Sequence, residues 1–256
     1  MANLLAEGYR RLFKGKRFYI VLAVVIAISV MFTLLYMAVN KLAGGMVMGE
    51  EDAPMMPADP LLFDNIGITP LLVGIAAGML IVQDFRNNTI RNKIIIGHSR
   101  VNIYMANWIV SVTVMAIYMI AYLAVSILLG GIILGFEEFP SKAIFINLLH
   151  VFFIELAMTS LIVFLCNTMK NVGGFVLSIT MHYIVDMFSL SLMLLNKHEK
   201  AQQIIREAVP SLQMSIIQQN YTETHENGVR MILFMVAITV VSTVAGALLF
   251  RKSDLK

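Results

Sequence analysis

Residues 83–100, QDFRNNTIRNKIIIGHSR, decide how the rest of the chain is read. The stretch carries Arg86, Arg91, Lys93 and Arg100 against a single acid, Asp84. It lies between two long apolar runs, residues 66–82 and a run that opens at Ile103. A basic connector between two membrane spans belongs on the cytoplasmic side. This one is too long for a tight helical hairpin and too rich in isoleucine for a solvated loop. Thr89 is placed to cap a short helix, because a threonine hydroxyl can accept from an unpaired first-turn amide. Ile90 and Ile94 then stand one turn apart on one face. The segment reads as a short surface helix that offers an apolar ridge, ringed by cations, to a partner.

Outward from this stretch the chain is membrane-like. It is 59% hydrophobic and 14% charged, with a mean hydropathy of +0.80. Soluble domains carry about 25% charged residues, so a soluble fold is excluded and the 256 residues form a single transmembrane domain. Six spans are expected at 18–39, 66–82, 103–128, 143–166, 172–194 and 231–249, each near the roughly 20 residues that cross a bilayer. The second span holds Pro70, which predicts an irregular entry, and its Gly74 and Gly78 predict close helix packing. Residues 1–17 form an amphipathic pattern rather than a cleavable signal. Leu4, Leu5, Tyr9, Leu12 and Phe13 fill one half of the helical wheel, and Glu7, Arg10, Arg11, Lys14 and Arg17 the other. Such a helix is expected to lie in the membrane interface.

Basic residues set the orientation. Thirteen of the 19 lie on one side: Arg10, Arg11, Lys14, Lys16, Arg17, Arg86, Arg91, Lys93, Arg100, Lys170, Arg251, Lys252 and Lys256. The other side holds Lys41, Lys142, Lys197, Lys200, Arg206 and Arg230, with Glu50, Glu51, Asp52, Asp59 and Asp64 in its first loop. Both termini are therefore expected in the cytoplasm. Two outer segments, 40–65 and 195–228, exceed what a connector needs. The second begins with a helical pattern that Pro210 stops. These segments either cap the outer mouth of a pathway or only tie helices together.

Ionisable groups inside spans require a reason. On the fifth span Ser178, His182, Asp186 and Ser189 fall within a stripe roughly 80° wide, and His182 and Asp186 are one turn apart. On the fourth, Asn147, Glu155 and Thr159 share a face, with His150 at its edge. These residues line a substrate path or a proton relay, or they form a buried network in which they satisfy one another. The 19 methionines suit a cavity for varied apolar ligands, although methionine is also a common filler. The lone cysteine, Cys166, forms no internal disulfide. No phosphate-binding loop, zinc-ligand spacing or nucleophile elbow is present.

The order of residues around the basic stretch resembles the segment between the second and third helices of type-two ABC exporter permeases. The matching residues are Asp84-Phe85, Thr89-Ile90-Arg91, Gly97, Ser99-Arg100 and Ile103-Tyr104. The ending Phe250-Arg251-Lys252-Ser253-Asp254-Leu255 is similar to that family's ending. The resemblance implies an all-α membrane protein of six transmembrane helices, with an N-terminal interfacial helix and a cytoplasmic coupling helix between the second and third spans. It implies two ABC ATPase subunits and a second permease, identical or homologous, in a bacterial plasma membrane. ATP and magnesium would sit on the ATPase, with no cofactor on this chain. Membrane lipids are expected partners and nucleic acid is not. Arg86, Thr89, Ile90, Arg91, Lys93, Ile94 and Arg100 would couple to the ATPase, with Ile90, Arg91 and Ile94 as anchors. Cargo would be hydrophobic or amphipathic, foremost a peptide, moved outward. Two other readings stay open: a proton-coupled carrier using Glu155, His182 and Asp186, and an intramembrane protease of the CAAX-processing type.

Overall fold

The computed structural model describes residues 1–46, 56–64, 66–195 and 198–253. Glu50, Glu51, Asp52, Lys197, residues 254–256 and the side chain of His182 lie outside the described residues, and with it any His182–Asp186 pair. Among the described residues the structure is helical, with no strand. Six helices are long and apolar enough to cross a membrane: Lys16–Leu42, Thr69–Arg86, Arg100–Ile133, Lys142–Met169, Val172–Leu192 and Gly228–Lys252. All six expected spans are thus present. The second runs one turn further than expected, to Arg86, into the basic stretch.

In chain order the helices are α1 (Ala2–Lys14), α2 (Lys16–Met46), α3 (Leu61–Asp64), α4 (Thr69–Val73), α5 (Met79–Arg86), α6 (Thr89–Ile95) and α7 (Arg100–Val125). They continue with α8 (Gly131–Ile133), α9 (Lys142–Met169), α10 (Val172–Leu195), α11 (Glu199–Ala208), α12 (Pro210–Gln219) and α13 (Gly228–Lys252). The second span is irregular, as Pro70 predicted. Pro70 sits in the first turn of α4, where an amide would be unpaired anyway. A π-helical turn, Gly74–Gly78, joins α4 to α5. A β-carbon on Gly74 would lie 3.3 Å from Ile179, and one on Gly78 3.3 Å from the Cys166 sulfur. Bare backbone at these glycines lets the second span press against α9 and α10.

The second and fourth spans are the inner pair, each more than half buried, and α9 packs most extensively against α13. By contrast α10 is almost wholly exposed along one side, through Tyr183, Ile184, Met187 and Phe188. Apolar exposure of this kind suits lipid or a second helical subunit as its surroundings. The expected N-terminal helix forms over Ala2–Lys14, with much of its apolar side against protein. Leu4 and Leu12 are buried, and α1 lies on the start of α7. The Tyr9 hydroxyl is 2.9 Å from that of Thr113, and a β-carbon on Gly8 would come within 2.9 Å of Val110. Most of its apolar face is therefore covered by protein rather than turned to acyl chains, while Phe13 remains exposed.

The opposite end of the bundle is closed by short elements. The buried Asp59 carboxylate accepts from the amides of Glu137, Glu138 and Phe139 at 2.8, 3.2 and 2.7 Å. Three amide donors on one carboxylate hold this turn against the segment before α3. Tyr36 donates to Asp64, whose carboxyl is pushed up by burial and partly drawn back by that hydroxyl. Helix α11 ends before Pro210, as its sequence pattern predicted, and Pro210 opens α12. Asn147 then donates to the carbonyls of Tyr221 and Glu223 at 2.9 and 3.0 Å. Segment 198–223 is thereby fastened down onto the fourth span.

Candidate functional site: a basic docking face and a polar mid-span cluster

At the basic end, α6 forms the expected short helix. Its cap differs from the expectation. Asn88, not Thr89, occupies the position before the first turn, in the left-handed conformation with φ 55°. Asparagine tolerates that conformation better than most residues. Thr89 is the first residue inside the helix. At the other end Gly97 has φ +102°, and its amide bonds the carbonyl of Ile94 at 2.9 Å. The chain turns there, and Ser99 caps α7 by accepting from the Asn102 amide at 3.2 Å.

The face that α6 presents is also not the one expected. Ile90 is only 1% exposed and packs with Leu4, Ile81, Ile103, Val163 and Phe250, and Ile94 leans on the same cluster. The two isoleucines one turn apart mark the buried stripe of a half-exposed helix, as such spacing usually does. The outward apolar pair is Ile95 and Ile96, 73% and 77% exposed. Arg86, Arg91 and Asn92 are exposed beside them.

Lys93 and Arg100 turn inward as well. Lys93 is buried and lies 3.2 Å from Asp84 and 3.4 Å from Glu7. Arg11 pairs with the same Asp84 and lies 3.7 Å from Glu7. Two cations and two acids thus clamp α1, α5 and α6 together, with the buried Asp84 at the centre. Arg100 donates to the carbonyls of Arg251, at 3.2 Å, and Ser253. The Phe85 ring meets Phe250 edge-on at 6.0 Å. So the two stretches that carried the resemblance, more than 150 residues apart, touch in the fold. Sequence reading missed Glu7, Arg11 and Asp84 as members of the clamp. Their signal was one acid among four cations in 83–100, an imbalance that makes the acid worth pairing.

A cavity of about 620 Å³ opens beside the clamp, lined by Arg10, Lys14, Lys16, Arg17, Gln83 and Asn87 among others. Its cations match the excess already counted for this end.

Among the described contacts, the mid-span polar residues bond mainly to groups outside the set. His150 lies 3.1 Å from Gln213 of α12, and Asn147 serves the loop after α12. Ser178 donates to the Phe175 carbonyl at 2.7 Å. Asp186 accepts from Ser211. Glu155 is fully buried and neither of its oxygens has a hydrogen-bond partner; the buried Thr159 hydroxyl, one turn on, has none either. Ser178 and Asp186 line one cavity of about 270 Å³, and Glu155 an adjoining one of about 170 Å³. Among the described residues no group of three or more His, Cys, Asp and Glu side chains is placed to hold a metal.

Six apolar helices, the second and fourth of them innermost, with a charged clamp under one end, define a multi-pass membrane protein. The model of the ABC-2 family transporter proteins matches residues 12–189, and the chain belongs to that family. It is an ABC transporter permease. No curated protein matches it.

Proposed function

We propose that this permease exports a hydrophobic or amphipathic cargo, foremost a peptide, using ATP hydrolysed on a separate ABC ATPase. The observation that carries this reading is the outer face of α6. Ile95 and Ile96 stand exposed near Arg86 and Arg91, on a helix tied to α5 by the Asp84–Lys93 pair. Exposed apolar side chains beside cations mark a contact surface, and a few anchors carry most of such a contact. The anchors are therefore Arg91, Ile95 and Ile96, with Arg86 at the rim. Ile90, Lys93, Ile94 and Arg100 serve by linking that surface to the spans. Motion of a docked ATPase would pass through Ile90 to the second span and through Arg100 to the sixth.

Two ATPase copies and a second permease, identical or homologous, complete the assembly in this reading, with ATP and magnesium on the ATPases. The exposed apolar side of α10 is where the second permease would pack. Basic-end residues then face the cytoplasm. The experiment is a detergent pull-down of the ATPase with an Ile95→Ser/Ile96→Ser variant, paired with vesicle transport. Loss of ATPase capture or of coupled transport, with normal membrane insertion, is expected. Normal assembly and transport in this variant would overturn the docking reading.

A further inference from the structure

Glu155 stands near the midpoint of the fourth span, Lys142–Met169, and is fully buried. Neither carboxylate oxygen has a hydrogen-bond partner. A buried unpaired carboxylate is among the costliest groups a fold can carry, and a membrane interior gives it no relief. An intramembrane ionisable residue left without a partner beside a cavity marks a site worth testing for a ligand.

The surroundings say what that is. Glu155 forms part of the wall of the 170 Å³ cavity with Met158, Pro210, Ser211 and Met214. Met158, Pro210 and Ser211 also line the 270 Å³ cavity, so the two adjoin. The second is also lined by Asp186, which is bonded to the shared Ser211, and by Met181 and Val185. Two carboxylates therefore line a shared chamber whose larger part is otherwise mainly aliphatic and methionine, with Ser211, Ser215 and Gln218 beside Glu155 in the smaller, and no lysine or arginine lines either part. A small inorganic cation would want a cage of several oxygens, and among the described residues no three His, Cys, Asp or Glu side chains gather to form one. A cavity of roughly 150 Å³ holds a benzene ring, so the larger part admits a bulky side chain. Methionine walls adapt to varied apolar shapes.

The geometry points to a binding site for a cationic amphipathic ligand, with an ammonium group paired by Glu155 and an apolar group seated among Met158, Met181 and Val185. Combined with the peptide-cargo reading, on which this last step rests, the ligand is a peptide segment in which a lysine or N-terminal amine adjoins a bulky apolar side chain. Asp186, held by Ser211, adds a second carboxyl group to the chamber beside a residue that both parts share.

The test uses the full chain in lipid nanodiscs, with benzyltrimethylammonium as probe and neopentylbenzene as its neutral isostere. Binding is measured by equilibrium dialysis against empty discs. The cation should bind the native protein in excess of empty discs, and roughly tenfold or more weaker to Glu155→Gln, as expected for losing a charged partner. The isostere should bind both proteins alike, which also shows that the variant keeps its chamber. Ser215→Lys, which places a cation at the rim while leaving Glu155 intact, should weaken the probe as well. Equal cation binding to the native protein and Glu155→Gln would overturn the site, as would a native protein that fails to bind the cation. Vesicle transport of a lysine-bearing hydrophobic peptide and its norleucine analogue separates the two readings. Probe binding without transport of either peptide removes the peptide cargo and leaves the site. Equal transport of both, without probe binding, removes the site and leaves the cargo.

Discussion

The Tyr104 ring lies against the backbone of Gly246, in the space a β-carbon there would need. One turn on, the Phe250 ring sits 6.3 Å from Tyr104 and 6.0 Å from Phe85. This contact fastens the start of α7 to the end of α13, directly behind α6. Gly246→Ala is therefore expected to destabilise the protein by about 1–3 kcal/mol, the usual result of forcing a group into a filled site. Thermal unfolding in detergent measures it. A Gly246→Ala protein as stable as the native one would show that the ring has room to move.

The Asp84 clamp leads to a second expectation. Asp84→Asn leaves the buried Lys93 with only the half-exposed Glu7 as a charged partner, and removing one member of a buried pair costs about 3–5 kcal/mol. The combined Asp84→Leu/Lys93→Met change, which removes both charges, should recover most of that loss. Urea or thermal unfolding of the three proteins tests this. A double variant no better than Asp84→Asn would mean that the charges themselves hold the helices in place.

Ile90 and the Ile95–Ile96 pair should separate packing from docking. Ile90→Ala removes a buried side chain and should cost about 2–5 kcal/mol of stability. Ile95→Ser/Ile96→Ser should leave stability within about 0.5 kcal/mol of the native protein, as exposed changes do, while abolishing capture of the ATPase. If Ile95→Ser/Ile96→Ser unfolds the protein instead, the outward face has been misassigned.

Orientation can be read with thiol labelling, because the sole cysteine, Cys166, is buried and contributes no background. Ser99 and Ser215 are both exposed, Ser99 beside the basic helix and Ser215 on α12. In intact cells an impermeant reagent should label a cysteine at position 215 and spare one at position 99. The reverse pattern would put the basic end outside and remove the docking proposal.

Acid should loosen the end of the bundle opposite α6. Burial lowers the His225 pKa, an effect that the nearby Glu223 charge only partly offsets. The folded form thus binds a proton less readily than the unfolded chain does. Stability from this residue is complete above the unfolded histidine value, about 6.5, and declines as pH falls below it. The drop in melting temperature between pH 7 and pH 5 should be smaller for His225→Gln than for the native protein. An identical drop in both would place the acid sensitivity elsewhere.

The amino-acid sequence by itself determined the helical membrane class, the number of spans and the concentration of cations at one end. It also placed the short helix α6 and the break at Pro210. These features follow from hydropathy, charge counts and turn chemistry, which are local and add along the chain. The tertiary structure alone decided how each element is turned. The spacing of Ile90 and Ile94 predicted an apolar face, but not that the face looks inward, since that depends on Leu4 and Phe250 arriving from the two chain ends. Lys93 counted as one more cation until Asp84 and Glu7 were brought within 3.2 and 3.4 Å of it. Likewise the wheel grouped Asn147, His150 and Glu155 on one helix, while their partners come from α12 and the loop beyond it, and Glu155 has none. Whether a buried polar group is satisfied depends on the rotation and depth of neighbouring helices, and no periodicity within one helix carries that information.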